Sequence, residues 1–176
     1  FSSAASDVYK RQAGNTIIMK PSEITSTSLL HWAEIVGDIM PPGVLNVITG
    51  YGAEAGEEIV KYPSIPIITF TGSVKTGKRI AMHAAENLKK VSLELGGKDP
   101  AIICDDADID VAAKGTSWGA LVNSGQVCTS IERVYVFSNI ADRFTESLVE
   151  ESKKVKLGDP MDADTDLGPM ASKAQL

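Results

Sequence analysis

Cysteine is scarce in this chain: Cys104 and Cys128 are the two among 176 residues. Two thiols cannot build a disulfide framework or a four-cysteine zinc site, so a reducing, cytoplasmic compartment is the default expectation and no metal is expected. An excess of positive charge is also missing. Lys and Arg number 17 against 23 Asp and Glu, a net charge of −6. Such a balance argues against nucleic acid or an acidic membrane surface as partner, because both are bound through counterion release by a basic face. It does not argue against a nucleotide cofactor, which needs only a few local donors. No apolar run approaches the ~18 residues of a membrane span. The composition, 43% hydrophobic and 23% charged, excludes disorder as the main state.

The two ends of the sequence lack regular pattern. Phe1–Gln12 has no charged start, apolar stretch or small-residue cleavage site, and no helical or strand period. It is read as a tail that need not be native. Leu157–Leu176 is rich in turn residues and stops inside them. Both features are expected of a piece of a longer protein.

Between the ends the rhythm is regular. Asn15–Met19 reads as a buried strand, Thr25–Met40 as an amphipathic helix carried by Leu29, Leu30, Ala33, Ile35, Val36 and Ile39, and Val44–Ile48 as a second strand. Thr49–Gly56 reads as a glycine-rich turn, Glu54–Lys61 as a short helix, and Ile65–Phe70 as a third strand. Ser73–Asn87 follows as a helix with Val74, Ile80, Ala81 and Ala84 on one face, then Lys90–Leu95 as a strand closed by Gly96-Gly97. Apolar strands joined by crossover helices imply a parallel sheet covered on both faces, with ligands beyond the carboxyl ends of the strands. After Gly97 come a strand at Ala101–Cys104, a helix at Asp108–Val122, a loop at Gly125–Thr129, a strand at Arg133–Phe137 and a helix at Ile140–Lys154 with Phe144, Leu148 and Val149 inward. A domain junction is expected near Gly96-Gly97.

Five short segments carry possible chemistry. Gly72–Lys78 (GSVKTGK) follows a strand and opens a helix with the spacing of a phosphate-binding P-loop. Arg79 stands where that loop needs Ser or Thr for Mg²⁺, although Ala101–Asp105 imitates the metal-steadying strand. The free N–H groups of a glycine-opened helix suit a diphosphate; the plain alternative is an N-cap by Ser73. Gly50–Gly56 is one residue too long for the dinucleotide fingerprint. Lys20 and Glu23 flank the end of the first strand, where a carboxylate and an amine can meet ribose hydroxyls; a solvated Lys and Glu is the plain alternative. Cys128 sits in a polar, glycine-containing loop, unlike Cys104 within its apolar strand. A thiolate there could attack a carbonyl carbon. With His31 and His83 on helices away from both thiols, an accompanying base is expected to be a carboxylate. Glu94 ends a strand between two leucines, surroundings that would raise its pKa toward the range of a general base. The aspartates at 105, 106, 108 and 110 lack the pattern of a calcium loop and read as helix capping.

Taken together the motifs AGNTIIMKPSE, PPGVLNVITGYGAEAG, FTGS with Gly77, LELGGK and NSGQVC resemble the aldehyde dehydrogenase superfamily over Ala13–Leu176. The interval from Glu94 to Cys128 fits as well. The resemblance implies a Rossmann-like cofactor domain over 13–95, followed at 96–176 by the start of a second α/β catalytic domain. It implies Cys128 as nucleophile and Glu94 as general base. It matches Lys20 and Glu23 to the adenosine ribose, and Gly72, Ser73 and Gly77 to the pyrophosphate loop. The implied cofactor is NAD, with NADP as the variant, the substrate a small aldehyde, and the parent a homo-oligomer. Two family segments, a Pro-Trp-Asn-Phe stretch and a Glu-x-Phe-Gly-Pro stretch, are absent from this sequence. The alternatives from other classes are a P-loop NTPase and a non-catalytic nucleotide-binding fragment.

Overall fold

The computed structural model describes residues 14–176; the Phe1–Gln12 tail and Ala13 lie outside them. The chain divides into two compact units, with the boundary between Glu94 and Leu95.

The first unit runs β1 (Ile17–Met19), α1 (Ser26–Gly37), β2 (Leu45–Val47), a π-helical turn at Gly52–Gly56, α2 (Glu57–Lys61), β3 (Ile67–Gly72), α3 (Val74–Glu86) and β4 (Lys90–Leu95). Strands β1 and β2 pair in parallel, Ile17 opposite Leu45 and Met19 opposite Val47, and α1 is the crossover that parallel pairing requires. The Asn46 side-chain amide donates to Ile17 O and Gly43 O and ties the pair to its entry turn. β3 pairs with β4. The core of this unit is Val60, Ile68 and Ile80, with Ile65, Phe70 and Leu93 packed against it.

Helix α3 shows why its sequence folds this way. Ser73 Oγ accepts the N–H of Thr76 at 3.2 Å and closes the first turn. Gly77, Ile80 and Ala84 recur at helical spacing and are buried together. Val74, expected on that face, is exposed, because the buried stripe begins only at Gly77. The helix ends at Glu86 with Asn87 as its C-cap, and Leu88 follows with a left-handed φ of 50°; Lys89 N bonds back to Ala84 O at 2.9 Å and Leu88 N to Ala85 O at 3.2 Å.

The second unit runs β5 (Asp99–Ile103), α4 (Ile109–Leu121), a 3-10 turn at Val122–Gly125, β6 (Ile131–Val136) and α5 (Ala141–Lys153). β5 and β6 are parallel, Ala101 opposite Val134 and Ile103 opposite Val136. Asp108 caps α4 by accepting from the N–H groups of Asp110 and Val111, both at 3.1 Å. Ile103, Ala113, Ile140 and Phe144 form the core, with Val134, Val136 and Leu148 partly buried against it.

Several expectations need correction. The parallel α/β class holds, but among the described residues the strands are joined as short two-stranded pairs, β1 with β2, β3 with β4 and β5 with β6, rather than as one long sheet. β1 and β2 are only three residues long, so this pair offers α1 a narrow surface: no residue of α1 is fully buried, and Leu30 and Ile35, with Ile39 beyond the end of the helix, are exposed. The turn at Thr49–Gly56 contains a π-helical turn, closed by Gly56 N to Tyr51 O at 3.3 Å. Cys104 is exposed rather than buried; it follows Ile103 by one residue, and strand alternation turns it away from the core. Val149 is exposed, one helical step of ~100° beyond Leu148. Among the described residues no helix is long and apolar enough to cross a membrane.

Candidate functional site

The carboxyl end of β1 places Lys20. Its Nζ donates to Pro21 O at 2.7 Å and to Gly50 O at 3.0 Å, so the ammonium spans the loops that follow β1 and β2. Its aliphatic stem runs past Gly56, where an added Cβ would lie 3.4 Å from Lys20 Cε. The loop after β1, the loop after β2 and the π-helical turn therefore converge on one cation. Among the described residues these bonds use two of the three ammonium hydrogens. Glu23 lies three residues on, exposed in the turn that Thr25 N to Ser22 O closes at 3.1 Å.

The end of β3 places Gly72 and Ser73. A Cβ on Gly72 would fall 2.5 Å from the tip of the Phe70 ring, so the ring closes over the backbone here and only glycine fits without moving it. Ser73 is the N-cap of α3, and its hydroxyl also donates to Thr76 Oγ1 at 3.0 Å. Gly77 N bonds to Ser73 O at 2.9 Å, and Gly77 is buried. The capping role is thus realised, and the same turn points backbone N–H groups out of the β3 end. Arg79, which stands in the Mg²⁺-ligand position of a P-loop, pairs with Glu57 across α2 and α3.

Glu57 was not singled out by its sequence. It also meets Lys61 Nζ at 2.6 Å and His83 Nε2 at 3.6 Å. The hydrogen bond from Lys61 first, then the charges of Arg79, Lys61 and His83, hold its carboxyl below its ordinary value against the opposing effect of burial. Lys89 was missed too. It is buried, donates to Val60 O at 2.6 Å and Tyr62 O at 2.5 Å, and has its pKa lowered by burial. Neither could be found by spacing, since both depend on where α2, α3 and β4 meet.

Glu94 is exposed, while its neighbours Leu93 and Leu95 are half-buried. This corrects the expected apolar surroundings. In a strand the two leucines share one face and the glutamate takes the other, so flanking leucines do not wrap it.

Cys128 lies in the second unit, between α4 and β6, with its thiol exposed. The approach to it is unusual. Asn123, Ser124 and Gly125 are all left-handed, with φ of 54°, 57° and 72°. Such backbone costs a non-glycine residue ~1–3 kcal/mol and persists only where other contacts hold it. Asn123 Nδ2 donates to Gln126 O at 3.2 Å, and Gln126 Nε2 returns a bond to Asn123 O at 3.0 Å. Ser124 Oγ donates to Gly168 O at 2.9 Å, and Gln126 Oε1 accepts from Ala171 N at 2.9 Å. On the far side Ser130 is buried, its N–H bonded to Val127 O at 3.0 Å. The thiol is thus offered to solvent from a loop fixed on both sides. Among the described residues no cluster of three His, Cys, Asp or Glu could hold a metal ion.

A parallel α/β architecture, a capped helix opening after a glycine and an exposed loop thiol together define an α/β protein with nucleotide-site and thiol-site features. The family model described as "Aldehyde dehydrogenase family" matches residues 9–176. An aminoaldehyde dehydrogenase of Arabidopsis thaliana, described as chloroplastic, is 46% identical over 164 residues, covering 93% of this chain and 33% of the relative. The crystal structure of lactaldehyde dehydrogenase from Escherichia coli superposes with a TM-score of 0.89 at 44% identity, covering 92% of this chain and 34% of that one. A betaine aldehyde dehydrogenase from Staphylococcus aureus in complex with NAD+ superposes with a TM-score of 0.86 at 39% identity, covering 90% and 32%. The chain belongs to the aldehyde dehydrogenase family, and it spans about a third of the length of the relatives it matches. The P-loop NTPase alternative does not hold: the family is another one, and Arg79 serves an ion pair.

Proposed function

We propose that the full-length protein carrying this chain oxidises a small aldehyde to the carboxylic acid with NAD, NADP being the variant cofactor. The observation that supports this most is the exposed Cys128 thiol on a braced loop, in a chain of this family. Residues 13–95 would form the cofactor part, and 96–176 the beginning of the catalytic part. Lys20 and Glu23 would hold the adenosine ribose; Gly72, Ser73 and Gly77 would shape the turn that receives the pyrophosphate. The bound cofactor supplies the hydride acceptor for the oxidation.

The chain's own residues do the rest. The Cys128 thiolate adds to the aldehyde carbon and gives a thiohemiacetal, whose oxyanion the Cys128 backbone N–H is suited to stabilise. After oxidation the carbon is held as a thioester on Cys128. Glu94 takes a proton from water, the resulting hydroxide attacks the thioester carbonyl, and the carboxylic acid leaves with the thiolate restored. Exposure of Glu94 leaves its carboxylate open to water. Two exposed thiols suit the reducing environment of the cytoplasm, which we take as the compartment, and a homo-oligomer as the assembly.

The test is Cys128→Ser in the full-length protein. Loss of aldehyde oxidation with retained NAD binding is the expected result. Near-normal turnover would remove Cys128 as nucleophile, and NAD binding without turnover in the wild type would favour a non-catalytic nucleotide-binding protein.

A further inference from the structure

The bonds around Cys128 go beyond what its own loop needs. Gln126 uses both ends of its amide: Nε2 donates to Asn123 O at 3.0 Å, and Oε1 accepts from Ala171 N at 2.9 Å. Ser124 donates to Gly168 O at 2.9 Å. Both outward bonds land on the same short segment, 168–171, more than forty residues downstream. The chain leading into that segment is itself fixed. Lys156 N donates to Asp166 Oδ2 at 2.9 Å, Leu167 N to Lys156 O at 3.1 Å and Gly158 N to Leu167 O at 3.1 Å. These bonds close the turn-rich loop between Leu157 and Leu167 at its neck. The chain leaving that neck presents the Gly168 carbonyl and the Ala171 N–H in reach of the thiol loop.

We infer that Gln126 and Ser124 are positioning residues for Cys128, anchoring the left-handed turn at 123–125 to the 168–171 segment so that the thiol is held in one orientation. This rests on Cys128 being the nucleophile. Three consecutive left-handed residues, two of them not glycine, relax unless something holds them. The two anchors are the side-chain bonds that tie this turn to a distant part of the chain. An orientation error at a nucleophile is costly: a misplacement of about 1 Å can lower a rate on the order of 100-fold. The amide of Gln126 is needed both as an acceptor toward Ala171 N–H and as a donor toward Asn123 O; Glu retains the acceptor but loses the donor, whereas Leu keeps the volume and loses both.

The test uses full-length protein in which Cys104 and every cysteine outside this chain are replaced by Ser, so that thiol labelling reads Cys128 alone. Four forms are compared: that background, Gln126→Leu, Gln126→Glu and Ser124→Ala. The measurements are the rate and the amplitude of the pre-steady-state burst of reduced cofactor, KM for NAD, and the rate of Cys128 alkylation across pH. Expected for Gln126→Leu is a burst slowed by ~10–100-fold at unchanged amplitude, with KM for NAD within about twofold. Its alkylation should be altered even on the high-pH plateau, where the thiolate is fully formed. Gln126→Glu, which keeps the acceptor toward Ala171 N–H but loses the donor to Asn123 O, should recover only part of the rate, and Ser124→Ala should slow the burst less than Gln126→Leu. A merely structural role would lower the amplitude and leave the rate of the surviving molecules normal. That pattern, or a burst rate unchanged in both Gln126→Leu and Ser124→Ala, overturns the inference. If Gln126→Leu does not fold, Ser124→Ala decides by the same two readouts. Cys128→Ser separates the two readings: if it is inactive while the positioning variants are normal, the nucleophile stands and the anchors do not. If it is active, the nucleophile itself is wrong.

Discussion

Lys89→Met removes a cation that the first unit has buried. Lys89 is 9% exposed, and its ammonium meets two carbonyls at the end of α2, Val60 O at 2.6 Å and Tyr62 O at 2.5 Å. Carbonyls of a last helical turn have no partner within the helix and face the negative end of its dipole, so a cation there is doubly favourable. Methionine keeps most of the stem and its packing but leaves both carbonyls without the donor. The Val60 contact is buried and the Tyr62 contact only partly so; water can replace the second but not the first. An unsatisfied buried acceptor costs ~1–3 kcal/mol, and removing the buried ammonium returns part of its desolvation penalty, so the net loss should be about 2 kcal/mol at neutral pH. Burial lowers the Lys89 pKa from its ordinary 10.5. Between that lowered value and 10.5 the unfolded chain binds the proton more than the folded one, so the stability contributed by Lys89 rises with pH through this window. The gap between wild type and Lys89→Met should therefore widen between neutral pH and about pH 10. Denaturant midpoints of the two full-length proteins at both pH values measure it. A gap under ~0.5 kcal/mol at neutral pH, or one that narrows as pH rises, would refute the reasoning.

Two further outcomes are expected. Glu57 is held below its ordinary 4.5 by the Lys61 hydrogen bond and the neighbouring cations, so the stability it contributes is complete above that value and is lost as pH falls through its folded pKa. Melting temperatures of wild type and Glu57→Gln should differ at neutral pH and converge in acid; a gap constant to about pH 3 would remove this role. Glu23→Ser should narrow the preference for NAD over NADP, because a 2′-phosphate beside the Glu23 carboxylate meets a like charge that Lys20 only partly offsets. The ratio of kcat/KM for the two cofactors measures it, and a ratio untouched by the substitution would show that Glu23 does not read the ribose.

Local pattern carried much of this protein. The helix of α3 could be read from Ser73, Ile80 and Ala84 alone, because capping and a 3.6-residue period act within a few residues. The same holds for Asp108 as the cap of α4 and for the alternation of strands with crossover helices. The ordered motifs around Lys20, Gly72, Glu94 and Cys128 pointed to the family that the full comparison identifies. Where local reasoning failed, it ranked burial from immediate neighbours. Glu94 between two leucines and Cys104 after two isoleucines both looked enclosed. Strand alternation instead sends adjacent residues to opposite faces, and the face that is covered depends on what packs there.

The sequence by itself determined the order of strands and helices and the caps at Ser73 and Asp108, since these follow from backbone preference and side-chain type, while most element ends lie a few residues from where local pattern put them. Only the tertiary structure decided that Lys20 spans two strand ends, that Glu57 gathers Lys61, Arg79 and His83, and that Gln126 and Ser124 reach segment 168–171. Each of these joins residues far apart along the chain. No local propensity encodes such a bond, because its partners come within hydrogen-bond reach only after the strands have paired and the helices have packed.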